Sequence, residues 1–382
     1  MKPDYDVIIV GGGLAGLVSS IVLAKAGKRV LLLEKKQYPY HKVCGEYVSN
    51  EVLPYLQSLG FDPFDYGAAK ITKLRISSPS GRSIHSMLDL GAFALSRYRM
   101  DDELAQLALR SGATVRTGTR VTDIQFEENG FRVTAGAHEL FTAKMVIGSW
   151  GKRETLDKKL QRAFIEERTS YMAVKYHIRT DYPVDEIGLD NFRDGYSGIS
   201  KIEDDRYNVC SFYRRPKDKK KHSSIQAFRE EVMFQNPVLK SIFTHADFVY
   251  DEPVVINEIC FAPKPPVENH MLMCGDSAGL ITPLCGNGMS MAIAGARIAT
   301  NLLLNSQLLD KQEIRMEERL QLEAAYREAW DHQFRQRLFW GRTIQWLFGN
   351  PVLTDLSLRL VHSIPPLERA LIKVTHGHVL EP

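Results

Sequence analysis

Three glycines near the N-terminus are spaced as in a turn that binds an anionic ligand. Gly11, Gly13 and Gly16 have the G-x-G-x-x-G spacing of a turn that binds a dinucleotide. Gly11 permits a tight turn, Gly13 lets backbone amides approach a diphosphate, and Gly16 lets a helix pack against a strand. A helix beginning with Leu14 and Ala15 would present its unpaired N–H groups and positive dipole end to that anion.

The elements that must hold this turn are also visible in the sequence. Asp6–Val10 is a short β-branched run that predicts a buried parallel strand, and Leu14–Gly27 has the composition of a helix. Lys28–Leu33 predicts the second strand, and Glu34 closes it, placed to accept hydrogen bonds from both hydroxyls of an adenosine ribose. Lys35, the next residue, is a further predicted cofactor contact. Strand, helix and acidic residue together predict a dinucleotide-binding βαβ unit.

A second glycine-rich region decides which dinucleotide is expected. Gly275 and Asp276 follow a predicted strand, so the carboxylate can face the ribityl hydroxyls of a flavin. The loop after them precedes a helix, whose N-terminus would stabilise the flavin edge that becomes negative on reduction. The loop residues that we expect to contact the cofactor are Pro283, Gly286, Asn287, Gly288 and Met289. The two glycine regions together predict FAD.

With these residues in view, the chain resembles the FAD-dependent geranylgeranyl reductase-like branch of the aromatic hydroxylase (p-hydroxybenzoate hydroxylase-like) flavoproteins. The resemblance extends over nearly the whole chain and is most specific at the two glycine loops. The segment Arg97–Leu104 is similar to the family's R-x-x-[FL]-D-x-x-L helix start. The resemblance therefore implies that Arg97 lies near the ribityl-phosphate side of the flavin, although an exposed helix-capping arginine is the alternative. It also implies that Val121 contacts the cofactor.

A third segment, Lys42–Glu46, resembles the C-G-[GDE] element of the reductase-like proteins. The resemblance implies that Cys44 and Gly45 line the flavin cavity. Cys44 is then a candidate thiol beside the flavin or substrate, and Glu46 a polar contact or proton source. The neighbouring His41 is a candidate proton donor to a carbanion or phenolate. The alternatives are a small buried cysteine and a solvated surface histidine.

Some family features are absent or changed. Where the aromatic hydroxylases carry the Asp of D-G-x-x-S-x-x-R, near flavin and reduced nicotinamide, this chain has Trp150. The W-x-W-x-I-P element of the flavin-dependent halogenases is not found, which argues against halogenation. The prenyl reductases often have an aromatic-Pro motif before the G-x-G of the substrate sheet, and this chain offers only Gly195–Ile199. Trp150 therefore argues against the hydroxylases' mode of NADPH use, and the motifs alone do not specify a prenyl substrate.

The predicted fold class is α/β, with a Rossmann-like FAD-binding domain, an inserted antiparallel-sheet substrate domain and a helical C-terminal tail. We assign residues 1–68, 97–155 and 262–305 to the FAD-binding domain. Residues 69–96 and 156–261 are assigned to the substrate domain, because alternating aromatic and polar residues with turn signals predict antiparallel strands there. Residues 306–382 form the helical C-terminal region.

Composition sets limits on location and partners. The net charge of +3 gives no bias toward nucleic acid, and five scattered cysteines favour a reducing cytosol over disulfides or a metal site. We find no signal peptide and no membrane-spanning run, so the expected location is cytoplasmic. Arg214–Lys221 is a basic run, which is a solvated loop or a contact for an acidic protein donor or a phosphorylated substrate. Trp330–Phe348 predicts an amphipathic helix, either packed over the substrate domain or resting on a membrane surface.

These features favour an FAD-dependent oxidoreductase that reduces carbon–carbon double bonds of an apolar, isoprenoid or polyketide-like small molecule by hydride from the reduced flavin. Since only one G-x-G-x-x-G is present, NAD(P)H or a protein electron donor would act as a transient reductant. The first alternative is a flavin-dependent monooxygenase that hydroxylates an aromatic compound. The second is a flavin redox sensor without turnover.

Overall fold

The computed structural model describes residues 3–152, 154–167, 169–215, 224–282, 286–348, 354–355, 377 and 379–381. Its strands in chain order are β1 (Tyr5–Val10), β2 (Val30–Leu33), β3 (Tyr47–Ser49), β4 (Ala69–Ser77), β5 (Ser83–Ala94), β6 (Thr114–Arg116), β7 (Val121–Glu127), β8 (Gly130–Ala135), β9 (Glu139–Gly148), β10 (Tyr171–Arg179), β11 (Glu186–Phe192), β12 (Gly195–Lys201), β13 (Tyr207–Arg214), β14 (Asp247–Phe248), β15 (Val254–Asn257), β16 (Val267–Glu268) and β17 (Met271–Met273). Its helices are α1 (Leu14–Lys25), α2 (Leu53–Ser58), α3 (Arg97–Arg110), α4 (Thr155–Lys159), α5 (Ile225–Glu231), α6 (Pro237–Thr244), α7 (Gly288–Asn305) and α8 (Met316–Phe348).

The first sheet has the order β16-β17-β9-β1-β2-β6, and β8 joins β7 to β9. Its central strand, β1, runs parallel to both β2 and β9. Val7, Ile8 and Ile9 are fully buried, which explains the unbroken apolar run, since helices cover both faces of a parallel sheet. The sequence prediction of a Rossmann-like α/β domain is confirmed.

The second sheet has the order β14-β10-β13-β12-β11-β4-β5-β3, with β15 also paired to β10. Its pairs are antiparallel except β11 with β4, which is parallel. Even-numbered side chains of β10, such as Val174 and Tyr176, pack in a core with α5 and α6. Odd-numbered side chains, such as Ala173 and Lys175, therefore lie on the opposite face.

The boundary between the two sheets differs from the sequence prediction at one strand. β3 lies inside the range 1–68 assigned to the FAD-binding domain, but it pairs with β5 of the second sheet. The chain after β2 thus crosses from the first sheet to the second by residue 47. Sequence periodicity could not show this crossing, because a three-residue strand carries no alternation of its own.

Helix α8 packs across the first domain. Tyr326 and Phe334 are fully buried, and the Tyr326 hydroxyl donates to the Met273 carbonyl at 2.6 Å. Phe339 and Trp340 are exposed side by side, with ring centroids 5.7 Å apart. Within the described part of the chain, no helix is both long and apolar enough to cross a bilayer. Contact with a membrane surface stays a prediction.

Candidate functional site

The glycine turn after β1 is built by close backbone approaches. Gly11 has φ +105°, and a Cβ there would lie 2.5 Å from the Ser149 carbonyl oxygen. A Cβ on Gly16 would lie 2.1 Å from the Gly11 carbonyl oxygen. Only hydrogen fits at these two positions. At Gly13, by contrast, the nearest atom to an added Cβ is an Arg97 guanidinium nitrogen at 3.8 Å, so the turn is open on that side.

Helix α1 begins directly after this turn with Leu14 and Ala15. Its N-cap is Gly13, which has no side chain to accept the N–H groups of the first turn. Those N–H groups lie at the positive end of the helix dipole, which suits the binding of a diphosphate.

Glu34 lies where β2 ends, against the glycine turn. It is 4 % exposed, and its carboxylate accepts hydrogen bonds from the Gly12 N–H at 2.7 Å and the Lys36 N–H at 2.9 Å. Lys35 instead forms an ion pair with Glu154. Val121, which is also expected to contact the cofactor, is buried at the start of β7. These roles as cofactor contacts stay predictions.

Arg97 begins helix α3 and faces the same turn. Its guanidinium donates two hydrogen bonds to Asp101, at 2.7 and 2.8 Å, and Lys42 forms an ion pair with the same carboxylate at 2.8 Å. Burial would raise the pKa of Asp101, but the charges of Arg97 and Lys42 outweigh it and lower that pKa. Two cations held by one carboxylate leave a net positive charge beside Gly13, which suits a diphosphate.

Residues 41–46 run between the two sheets. The Cys44 thiol is half-buried and lies 3.3 Å from the Met289 sulfur, so this segment meets the start of α7. The side-chain amide of Asn208, on β13, donates to the carbonyls of Cys44 and Gly45 at 3.1 and 2.8 Å. Around an added Cβ on Gly45 no atom lies within 4 Å. The segment is therefore pinned by its carbonyls while Gly45 faces open space.

Glu46 ends the segment in a fully buried ionic cluster. Lys175 donates to its Oε1 at 2.5 Å, the Arg97 N–H donates to the same oxygen at 2.8 Å, and His177 Nε2 lies 2.7 Å from Oε2. Burial opposes ionisation of Glu46, but Lys175 and His177 outweigh it and lower its pKa to about 2. At neutral pH this carboxylate accepts hydrogen bonds only, so the geometry favours its expected role as a polar contact over that of a proton source.

His41 borders the same cluster. Its ring stacks on Tyr98 at 4.7 Å and meets the His177 ring edge-on at 5.2 Å. Burial and the charges of Lys175 and His177 lower the pKa of His41 to about 4. The ring is therefore neutral at pH 7. Sequence reasoning found His41 and Glu46 but missed Lys175 and His177, because nothing in a single strand shows which distant loop its polar side chains meet.

The second glycine region brings β17 to the start of α7. Gly275 has φ +60°, and Asp276 follows it with its backbone carbonyl held by Lys264 at 2.8 Å. Gly286 has φ +66°, and a Cβ there would meet the Tyr47 ring at 3.1 Å. Asn287 caps α7, which begins at Gly288 and Met289. Pro283 lies outside the described residues.

Trp150 stands where the hydroxylases have their aspartate. Its indole N–H donates to Asp157 at 3.1 Å, and the next residue, Gly151, accepts and donates hydrogen bonds with the Ser277 hydroxyl. The segment is therefore tied to α4 and to the Gly275–Ser277 turn. Trp150 therefore has a structural role, since its indole N–H binds the segment to Asp157 of α4.

An apolar cluster occupies one end of the face of the second sheet that lies opposite the α5 and α6 layer. Ala173, Tyr196 and Phe212 are neighbours on three adjacent strands, and Leu280 from the second glycine region packs with them. Tyr171 and Phe261 extend the surface, with ring centroids 5.1 and 5.8 Å from Phe212. We call these residues the apolar slot. The period-two alternation of the strands was the available signal for it.

Comparisons with known proteins agree with this geometry. The family model described as FAD binding domain matches residues 4–306. Digeranylgeranylglycerophospholipid reductase 1 of Methanosphaera stadtmanae is 27 % identical over 77 % of this chain and 73 % of its own length. Conditioned medium factor receptor 1 of Dictyostelium discoideum is 23 % identical over 94 % of this chain and 73 % of its own length.

Solved structures show the same fold. The flavin-dependent brominase Bmp2 has a TM-score of 0.76 at 20 % identity, over 97 % of this chain and 93 % of that chain. At this identity the likeness shows the fold alone. The helix N-terminus at Gly13, the buried carboxylate of Glu34 and the cations at Arg97 and Lys42 are groups that fit the diphosphate and ribose of FAD.

Proposed function

Since this chain belongs to the FAD binding domain family and is an FAD-dependent oxidoreductase, we propose that it reduces carbon–carbon double bonds of an apolar, isoprenoid or polyketide-like substrate. The observation that carries this proposal is the apolar slot on the second sheet. The reductase name of the relative from Methanosphaera stadtmanae supports the same reaction class.

The composition of the apolar slot fits a hydrocarbon chain. Its members Ala173, Tyr196, Phe212 and Leu280 are each less than 10 % exposed, and the slot's larger members are aromatic rings. Burying apolar ligand surface against them stabilises the complex by roughly 25 cal/mol per Å². A small polar acid would instead need charged partners within the slot. Lys175, one row away, is already paired with Glu46, and Arg214 is an exposed residue at the rim, over the Tyr171 ring.

When bound, FAD supplies the hydride for such a reduction. The residues that would hold it are those of the glycine turn, with Glu34 at the ribose, Arg97 at the diphosphate side, Asp276 at the ribityl chain, and Cys44 and Gly45 lining the cavity. We further propose that NAD(P)H, or a protein electron donor, reduces the cofactor by transient contact, because the chain has a single dinucleotide turn.

The test is an anaerobic turnover with the FAD-loaded protein, a chemical reductant and a lipid carrying geranylgeranyl chains. We expect products heavier by two hydrogens per reduced double bond, measured by mass spectrometry. Product that forms only with O2 and carries an added oxygen atom would overturn the proposal in favour of the monooxygenase.

A matched pair of variants on β13 ties the substrate to the apolar slot. Phe212→Ala should raise KM by about tenfold, since it removes apolar contact with the substrate. Val209→Ala, whose side chain lies on the opposite face of the same strand, should leave KM unchanged. Equal effects of both substitutions would place the substrate elsewhere.

A further inference from the structure

Three fully buried polar side chains form a row across adjacent strands of the second sheet. His177 on β10 pairs with Asn208 on β13, which pairs with Ser200 on β12. Directly opposed side chains in a sheet have Cβ atoms about 4.5–5.5 Å apart. His177 Nδ1, Asn208 Oδ1 and Ser200 Oγ each lack a hydrogen-bond partner among the described residues, and all three residues are at most 1 % exposed.

A fourth atom of this kind lies on the facing loop. His41 Nδ1 is buried and also lacks a partner within the described part of the chain, and its ring meets the His177 ring at 84°. Buried polar atoms are nearly always hydrogen-bonded, by ordered water where protein groups do not reach. Three of these atoms lie along one row of the sheet and the fourth lies on the loop that faces it, which indicates an internal water site between the row and the loop. His41 is half-exposed, which gives this site a route to solvent.

The row connects to the ionic cluster at Glu46. His177 uses Nε2 on Glu46 Oε2, leaving Nδ1 for the water site, and Lys175 contacts the other carboxylate oxygen. Lys175 lies one row nearer to the apolar slot, between the row of His177 and the row of Ala173 with Phe212. Hydrogen bonds thus join His177 to Glu46 and Glu46 to Lys175, beside the apolar slot, and the water site would join half-exposed His41 to His177.

We propose that the water site bounded by His41, His177, Asn208 and Ser200 is an internal proton path, and that Lys175 is its outlet toward the substrate. This inference rests on the proposed function, because reducing a double bond adds one hydride and one proton. The hydride and its electron pair come from the cofactor, which the external donor reduces. The proton leaves Lys175 Nζ. Glu46 holds no proton while Lys175 is charged, so it takes one from His177 only after Lys175 has released its own, and passes it to Lys175 Nζ. The net proton comes from solvent through His41.

The charges around the path suit this transfer. His41 is neutral at pH 7, since burial and the neighbouring cations lower its pKa to about 4, so one ring nitrogen can accept while the other donates. The titratable groups in contact with the His177 ring are Glu46, His41 and Tyr250. Lys175 shares the Glu46 carboxylate with His177, and Arg206 adds a positive charge near His41.

The central test is His177→Gln in the FAD-loaded protein. The amide of glutamine can still donate to Glu46 but cannot titrate. We expect kcat to fall by at least about tenfold and its pH dependence to lose one ionisation, while KM and the FAD Kd stay within about twofold. ¹⁵N NMR of the His177 ring in the wild-type protein should show Nδ1 in a hydrogen bond, as the water site requires. An unchanged pH profile in the variant would overturn the proposal.

Two further comparisons guard against trivial causes. Ser200→Ala should lower kcat, whereas Ser197→Ala, a buried serine on the other face of β12 bonded to Ser211, should not. Equal effects of the two serine substitutions on kcat would contradict the path.

The outlet is tested at Lys175. Lys175→Met leaves Glu46 buried without its cation, so the double variant Lys175→Met/Glu46→Gln is tested beside it. If either folds and binds FAD, it should lose most turnover, and full turnover would exclude Lys175 as outlet.

Failure of the proposed function is distinguishable from failure of this inference. If no double-bond reduction occurs in the wild-type protein, the proposed function fails on its own test. The ¹⁵N chemical shifts of the His177 ring, and their change in Ser200→Ala, remain measurable without any substrate. If the ¹⁵N chemical shifts of the His177 ring are the same in the wild type and in Ser200→Ala, no water site is shared by the two residues, whatever the turnover.

Discussion

Two glutamates that the sequence singles out have similar burial and different partners. Glu34 accepts two backbone N–H groups beside the glycine turn, whereas Glu46 accepts Lys175 and His177 from the second sheet. The first arrangement leaves a carboxylate free to bind hydroxyl groups, because backbone donors do not neutralise its charge. The second neutralises the carboxylate in place. The same residue type thus serves ligand binding at one site and internal cohesion at the other.

Glu34→Gln should weaken FAD binding by about tenfold or more, since a hydrogen bond to a charged acceptor contributes about 1.5–3 kcal/mol. Flavin fluorescence during titration of the apoprotein measures the Kd. The matched control is Glu127→Gln, which removes an exposed ion pair with Arg132. If both variants bind FAD equally well, Glu34 does not contact the ribose.

Glu46 should make stability depend on acid pH. Its pKa is about 2 in the folded protein and about 4.5 in the unfolded chain, so the unfolded chain takes up the proton first as pH falls. The contribution, about 3 kcal/mol, is complete above pH 4.5 and is lost as pH falls toward 2. The difference in unfolding free energy between wild type and Glu46→Gln, measured in urea, should therefore shrink below pH 4.5. A difference that stays constant with pH would contradict this ionisation.

At the scale of elements, β1, the glycine turn and α1 form a unit whose geometry depends on residues far along the chain. The Ser149 hydroxyl donates to the carbonyls of Val10 and Gly11, and an added Cβ on Gly11 would collide with the Ser149 backbone. The turn is thus clamped by the end of β9. Gly13 has no such close contact. Gly11 and Gly16 are therefore needed for folding, whereas Gly13 is needed for the approach of the ligand.

Gly16→Ala and Gly13→Ala should therefore fail in different ways. The alanine Cβ at position 16 would overlap the Gly11 carbonyl. We therefore expect the free energy of unfolding to fall by about 3 kcal/mol, the upper end of the usual cost of overpacking. At position 13 the Cβ meets only Arg97 at 3.8 Å, so stability should hold while FAD binding weakens. Thermal melts and FAD titrations separate the two outcomes. Equal stability of both variants would contradict the crowding at Gly16.

At the scale of the whole molecule, the segment 41–46 joins the two sheets. It contacts α7 through Cys44, β13 through Asn208 and β10 through Lys175 and His177. Helix α8 is bound to the first sheet, since Arg319 donates to the carbonyl of Lys144 in β9 and to that of Asn129 in the β7–β8 turn. These contacts lead us to expect that the two sheets unfold together.

FAD should accordingly raise a single melting transition. A ligand at a hundred times its Kd stabilises the folded state by about 2.7 kcal/mol, and the shift should appear equally by circular dichroism and by tryptophan fluorescence. Gly13→Ala, which should fold but bind FAD more weakly, serves as the control that shows a smaller shift at the same FAD concentration. Two separate transitions, of which FAD moves one, would show that the second sheet is independent of the cofactor.

The cofactor class and the first domain could be predicted from the sequence alone. Gly11, Gly13, Gly16 and Glu34 lie within one βαβ unit, so their spacing along the chain is enough to identify the motif. The likeness to the FAD binding domain family confirms that prediction. Only the tertiary structure brought Lys175, His177 and Asn208 to the segment 41–46, more than 120 residues away along the chain. A strand's alternation shows that its side chains take two faces, but which loop each face meets depends on how the sheets pack. That packing is non-local, so the ionic cluster at Glu46 and the water site beside it could not be predicted from spacing.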